Sequence, residues 1–312
     1  MVKSSADTPE RGGHGGESKV GHVPVLLKEA IDFLAVRPGG TYIDATVGLG
    51  GHSYEIAKRL GAPDHLIGLD KDPAALEIAR TRLRPSDELE GDWPQITLVH
   101  GSFAEIEKRF GPASAGGLLV DLGVSSLQLG SAARGFSFRE EGPLDMRMNP
   151  QSELTADQVV NQFDERELAD LIYEFGEERR SRRIARAIVR SRPIRNTAHL
   201  AEVVSAATRS MNRERIHPAT RTFQALRIFV NHELEDLRVL LNSAPQVLKP
   251  GGRLVVISFH SLEDRIVKDV LRDGVKQGHY RLLTKKPVTP GQEEIAINPR
   301  ARSAKLRAAE RV

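Results

Sequence analysis

"TYIDATVGLGGHS", residues 41–53, joins a strand-like run to a glycine-rich loop. Tyr42, Ile43 and Asp44 form the entry, and Gly48, Gly50 and Gly51 follow at once. Glycine has no Cβ, so this loop can turn tightly and bring its backbone close to a bound molecule. The next stretch, "HSYEIAKRLG" (52–61), reads as a helix ending at Gly61. Strand, glycine loop and helix together are the opening unit of a nucleotide-binding α/β layout.

The same alternation continues on both sides. Upstream, "HVPVLLKEAIDFL" (22–34) predicts a helix with proline near its start, broken by "RPGG" before the strand. Downstream, "HLIGLD" (65–70) predicts a strand ending in an acid, and "DPAALEIARTRL" (72–83) a helix with Asp72 as N-cap. Strands follow at "ITLVHG" (96–101) and "GLLVDLG" (117–123), with a helical "FAEIEKRFG" between them. Short, nearly continuous apolar strands alternating with helices predict a mostly parallel, doubly wound sheet covered on both faces.

The alternation stops at residue 134. Residues 134–225 carry helical patterns only, and the sheet pattern returns with a long helix from Ala225 and the strand "RLVVISF" (253–259). The expected organisation is a polar N-terminal tail (1–21, disordered), an α/β domain in two pieces (22–133 and 226–312) and an inserted all-helical domain (134–225). "YRLLTK" and "EEIAIN" read as two further strands.

Composition limits the function classes. The chain has 312 residues, 28% of them charged, and no cysteine. Disulfides, thiolate metal sites and a cysteine nucleophile are therefore excluded. No apolar run is long enough for a membrane span, and the N-terminus lacks an apolar signal region, so a cytoplasmic protein is expected. Net charge is only +3, but the basic residues are clustered. Residues 176–195 hold eight arginines against two glutamates, and the tail 298–312 holds five basic residues against one acid. Such clusters suit either a solvated surface or a polyanionic partner. His217, His232 and His260 have no metal-ligand spacing, so no catalytic metal is expected.

Ligands of doubly wound sheets lie beyond the carboxyl ends of the strands. Three features converge there: the glycine loop, Asp70 ending the second strand, and Asp121 ending the fourth. An acid after the second strand can accept two ribose hydroxyls. A dinucleotide fingerprint needs G-x-G-x-x-G, but serine stands at position 53, where the third glycine would be. Asp44 also precedes the loop, giving an order like that of motif I in amino-methylating enzymes. Acids without a pyrophosphate cradle fit S-adenosylmethionine, which carries a sulfonium and an ammonium and no phosphate.

Longer segments carry a specific resemblance. "DLGVSSLQLGSAARGFSFREEGPLDMRMNP" (121–150), "GEERRSRRIARAIV", "HPATRTFQALRIFVNHELEDL", "ISFHSLEDRIVK" and the terminal "NPRARSAKLRAAER" resemble, in order, the MraW family of cytosine-N4 methyltransferases of small-subunit (16S) ribosomal RNA. The resemblance runs from about His22 to Arg311. It implies a class I methyltransferase (Rossmann-like) domain with a helical insertion for substrate recognition. It also implies S-adenosylmethionine as cofactor and, as target, a cytidine in the decoding region of the small ribosomal subunit. Carried over residue by residue, it assigns cofactor contacts to Gly50, Gly51, His52, Asp70, Phe103, Asp121 and Gln128. The 179–195 arginines and the basic C-terminal tail become the expected RNA contacts.

Amino-methylating enzymes usually carry an acid or amide, two prolines and an aromatic after the fourth strand. Here that place reads Asp121-Leu122-Gly123-Val124, with the prolines and the aromatic missing. The remaining catalytic candidates are Asp121, Ser125, Ser126 and His260 as acceptors, with Phe136 or Phe138 as stacking partner. Each has a plain structural alternative: the serines can cap a helix, the phenylalanines can fill a core, and His260 can be a satisfied structural histidine. Two rival readings are a nicotinamide-dependent oxidoreductase and a non-catalytic RNA-binding assembly factor. Serine at 53 speaks against the first, and the intact loop and acids against the second.

Overall fold

The computed structural model describes residues 24–85, 91–208 and 217–312. The segment 1–21, expected to be a disordered tail, lies outside the described residues.

In chain order, α1 (Leu27–Leu34) precedes β1 (Thr41–Asp44), α2 (Gly51–Ala57), β2 (His65–Asp70), α3 (Pro73–Arg82) and β3 (Gln95–His100). Then come α4 (Ile106–Arg109), β4 (Ala115–Asp121) and the short α5 (Ser126–Gly130). A helical run follows: α6 (Ala156–Gln162), α7 (Glu165–Gly176), α8 (Ser181–Arg190), α9 (Thr197–Thr208), α10 (Thr220–Asn231) and α11 (Glu233–Val247). The chain closes with β5 (Leu248–Ser258), α12 (Ser261–Lys276), β6 (Tyr280–Leu282), α13 (Gln292–Ile297) and β7 (Lys305–Arg311).

The sheet order is β3-β2-β1-β4-β5-β7-β6. Strands β1 to β5 pair in parallel, and β7 runs antiparallel to both β5 and β6. This is the mostly parallel α/β sheet expected from the sequence. Burial is nearly continuous along β1, β2, β4 and the second half of β5, as a sheet covered on both faces requires. Ile43, Leu118, Val120 and Val256 pack on one face with Leu237 and Leu241 of α11. Tyr42, Leu119, Val255 and Ile257 pack on the other with Ile31 and Leu34 of α1 and Ile56 of α2. The order reverses between β1 and β4, so the cleft beyond Asp44 and Asp121 is the topological switch point.

A separate cluster forms among the helices between β4 and β5, with Val160, Leu168, Ile172, Ile184, Ile188, Leu200 and Leu226 at its centre. The break comes at His232, whose left-handed backbone (φ 53°) ends α10 and starts α11. The sequence reads one continuous helix from Ala225, because apolar spacing persists through the break. Val230 belongs to the helical cluster, whereas Leu234 belongs to the sheet cluster. The 225/226 boundary expected from the sequence falls inside α10.

Several local expectations are corrected. Pro24 lies before the first helix, because Leu26 takes a left-handed backbone and α1 starts at Leu27. Helix α2 ends at Ala57, short of Gly61. "EEIAIN" is helical: Gly291 caps α13, and Glu293 and Glu294 lie in its first turn, where the helix dipole favours acids. The basic tail is no free arm. Its residues Lys305–Arg311 form β7, with Leu306, Ala308 and Ala309 buried. On α8 the buried residues are Ser181, Ile184, Ala185 and Ile188, leaving Arg182, Arg183, Arg186 and Arg190 exposed.

Candidate functional site

The glycine loop leaves β1 at Asp44 and is stitched to both neighbouring strands. Ala45 N–H donates to Leu119 O and Val47 N–H to Leu69 O, each at 2.8 Å. Gly50 caps α2 with φ 78°, a conformation that penalises any side chain, and a Cβ there would lie only 3.3 Å from the Ala79 Cα. A Cβ on Gly51 would collide with Pro24. Ser53, in the place of a third glycine, donates its hydroxyl to Asp44 Oδ2 at 2.6 Å. Burial pushes the Asp44 carboxyl up to about 6, with the Ser53 and Thr46 hydrogen bonds opposing and the Asp70 charge adding.

Asp70 ends β2 and accepts the backbone N–H of Gly48 and of Asp72, both at 2.8 Å. Burial raises its carboxyl to about 6 against those two bonds. Phe103 opens the turn after β3, and the Lys71 ammonium lies 5.9 Å from its ring centre. Lys71 is held by Asp236 and by the Asn231 carbonyl, each at 2.6 Å. This wall therefore has an acid, an aromatic face and an immobilised cation in sequence.

The opposite wall starts at Asp121. Its Oδ2 lies 3.5 Å from His52 Nδ1, and its Oδ1 is buried with no hydrogen-bond partner among the described residues. Burial, then the charges of Asp44 and Glu263, push this carboxyl well above the usual carboxylate range. His52 Nε2 faces the Val25 carbonyl at 3.1 Å. Ser125 and Gln128 form a capping box at the start of α5. The Gln128 amide also donates to Asp72 Oδ2 at 2.9 Å, beside an Arg134 guanidinium at 2.8 Å from the same oxygen.

These residues line one open cleft with about 1170 Å³ of empty space, part of it continuous with solvent. Gly51, His52, Asp70, Phe103, Asp121, Ser125, Ser126 and Gln128 all contribute to its lining. Gly50 stands just behind, as the cap of α2. His260 is not among the lining residues. It caps α12, its Nε2 lies 3.1 Å from Glu263 Oε1, and Glu263 itself faces the cleft. Burial alone would raise Glu263, but His260 and Arg227 hold it below its ordinary value. Phe136 and Phe138 pack in the helical cluster, Phe138 against Phe223 at 4.8 Å.

The structure adds cleft residues that sequence reasoning missed: Lys71, Met148, Glu233, Phe259, Glu263, Asn298 and Arg300. Lys71 and Phe259 adjoin recognised strand ends and could have been found from that position. Met148, Asn298 and Arg300 reach the cleft only through tertiary folding. Among the described residues, no helix is long and apolar enough to cross a membrane, and no group of three or more His, Asp or Glu side chains is arranged to hold a metal ion.

The sequence pattern of the MraW methylase family matches residues 19–312. The chain is 68% identical to the ribosomal RNA small subunit methyltransferase H of Koribacter versatilis, over 98% of this chain and 99% of that protein. It is 64% identical to the protein of that name from Acidobacterium capsulatum, over 93% and 98%. The corresponding protein of Solibacter usitatus is 50% identical over 93% and 99%.

Proposed function

Because this chain belongs to the MraW methylase family, we propose that it transfers a methyl group from S-adenosylmethionine to the exocyclic N4 of a cytidine in the decoding region of small-subunit (16S) ribosomal RNA. The observation that carries the cofactor reading is the buried Oδ1 of Asp121, without a hydrogen-bond partner among the described residues, in an acid-lined cleft at the sheet's switch point. A buried acceptor without a donor calls for a cationic or hydrogen-bonding ligand.

The bound cofactor supplies a sulfonium-activated methyl group. The chain's own work is alignment and exclusion of water. Asp70 accepts the ribose hydroxyls, held in place by the Gly48 and Asp72 amides. Phe103 presents its ring to the adenine. Gly50 and Gly51 let the loop backbone approach, and Asp121 with His52 receives the amino-acid end. Gln128 holds the start of α5 against Asp72.

The cytosine amino group is a poor nucleophile because its lone pair is delocalised into the ring. An acceptor that draws on its hydrogens favours attack. Asp121, Ser125 and Ser126 are the acceptors facing the cleft. The Ser125 Oγ already accepts the Gln128 N–H at 3.2 Å, so Ser126 is the freer hydroxyl of the two. His260 acts at one remove, by fixing the Glu263 carboxylate. The helical unit at 134–225 offers the exposed arginines of α8 to RNA phosphates. The cytoplasm, where ribosomal subunits assemble, is the expected site of action.

The test is label transfer. Tritiated S-adenosylmethionine is incubated with small subunits lacking the modification, or with naked 16S RNA. Retention of label in the RNA supports the reading. Cofactor binding by calorimetry with no labelling of either substrate would favour a non-catalytic RNA-binding protein.

A further inference from the structure

Of the two cations lining the cleft, Lys71 is already held by Asp236 and Arg300 stands exposed. Glu233 and Glu263 are buried in its lining, and Asp70 and Asp121 share it. Arg300, exposed on the turn Pro299–Ser303, lines the same cleft from the C-terminal segment. A phosphate among those acids would be repelled, whereas a phosphate at the exposed arginine would be attracted.

Three of the four other basic residues of the tail are otherwise engaged. Lys305 and Arg307 pair with Asp264 at 3.1 and 2.7 Å, and Arg311 donates to the Leu248 carbonyl. Arg302 is exposed but does not reach the cleft. Among the described residues, the Arg300 guanidinium has no carboxylate partner.

Its mount is rigid. Ala301 and Ala304 are buried, β7 anchors the following residues to β5, and Asn298 Oδ1 accepts the Arg300 N–H at 3.2 Å. Just upstream, Glu294 of α13 accepts the Leu26 N–H at 2.7 Å, tying this segment to the chain that overlies the glycine loop. Arg139 comes near from the segment after β4. Partial desolvation and then the Arg139 charge push the Arg300 guanidinium below its ordinary value.

We propose that Arg300 receives a backbone phosphate of the RNA strand beside the target nucleotide, holding the charged strand at the rim while only the base enters the acid-lined cleft. This deepens the proposed function and rests on it. Arg300 is here a positioning residue.

The experiment compares wild type with Arg300→Gln and Arg300→Lys. Binding of a 16S RNA transcript is followed by fluorescence anisotropy across a salt series, methylation by tritium transfer, and S-adenosylmethionine affinity by calorimetry. Arg300→Gln is expected to raise the KM for RNA about tenfold and to make the salt slope shallower by about one. Cofactor affinity should be unchanged. Arg300→Lys should recover the salt slope, which a purely structural role would not produce. A wild-type KM and salt slope in Arg300→Gln would overturn the inference, as would a parallel loss of cofactor affinity. A wild type that binds RNA without labelling it overturns the proposed reaction, while the salt slopes still decide the role of Arg300. A wild type that does not bind RNA overturns both.

Discussion

Nδ1 of His52 lies 3.5 Å from Oδ2 of Asp121, so the glycine loop after β1 meets the carboxylate ending β4 across the switch point of the sheet. The same imidazole reaches the Val25 carbonyl through Nε2 at 3.1 Å. One buried ring thus joins the N-terminal segment, the loop and the acid. His52→Ala removes that link and leaves a larger space beside Asp121. Isothermal calorimetry is expected to show S-adenosylmethionine affinity weakened by about tenfold or more. Wild-type affinity in the variant would remove His52 from the cofactor site.

Asp70 must be ionised to accept two ribose hydroxyls. Its carboxyl is raised to about 6. Cofactor affinity should therefore hold at pH 7 to 8 and fall as pH drops through about 6. Asp70→Asn should flatten that dependence and bind weakly throughout. A wild-type affinity independent of pH between 5 and 8 would contradict the assignment.

Asp44 makes the opposite demand on stability. Its folded value, about 6, lies above the ordinary 3.8. The folded state therefore holds the proton more tightly than the unfolded one, and stability falls as pH rises between those two values. Above about pH 6 the buried charge carries its full penalty. Asp44→Asn should stabilise the unliganded protein at pH 8, by at most 2–3 kcal/mol on the order-of-magnitude scale of such shifts, and leave it nearly unchanged at pH 4. Denaturant titrations at the two pH values check this. The gain should be smaller if the new amide disturbs the Ser53 hydroxyl.

Arg182 and Arg186 are exposed on α8, but Arg186 already faces Glu165 at 3.2 Å. Arg182→Gln should weaken RNA binding and lower the salt slope by about one. Arg186→Gln should do less, because its charge is partly compensated. Equal slopes in Arg182→Gln and wild type would place the RNA elsewhere.

The parallel half of the sheet was legible because short apolar strands, glycine loop and helix caps repeat in a fixed rhythm. Asp72 caps α3 as read, its side chain accepting the Ala74 N–H at 3.0 Å. Strand β7 was obscured because Lys305 and Arg307 place their charges on Asp264, a contact with no sequence signature. The break at His232 was hidden because apolar periodicity continues while the packing partner changes. In the site, the strand ends gave Asp70 and Asp121, whereas Glu263, Asn298 and Arg300 reach the cleft from segments more than a hundred residues away in sequence. The cap roles of Ser125 and His260 depend on which helix each begins, and the residue types alone allowed either a structural or a catalytic part.

The central claim is that the methyl group goes to N4 of cytosine. The most direct measurement takes labelled RNA from small subunits treated with the protein and tritiated S-adenosylmethionine, digests it to nucleosides and identifies the labelled one by chromatography and mass. The account predicts N4-methylcytidine at a single position, lost in Asp121→Ala. Label in C5-methylcytidine, in a methylated adenosine or in a 2′-O-methyl ribose would contradict it.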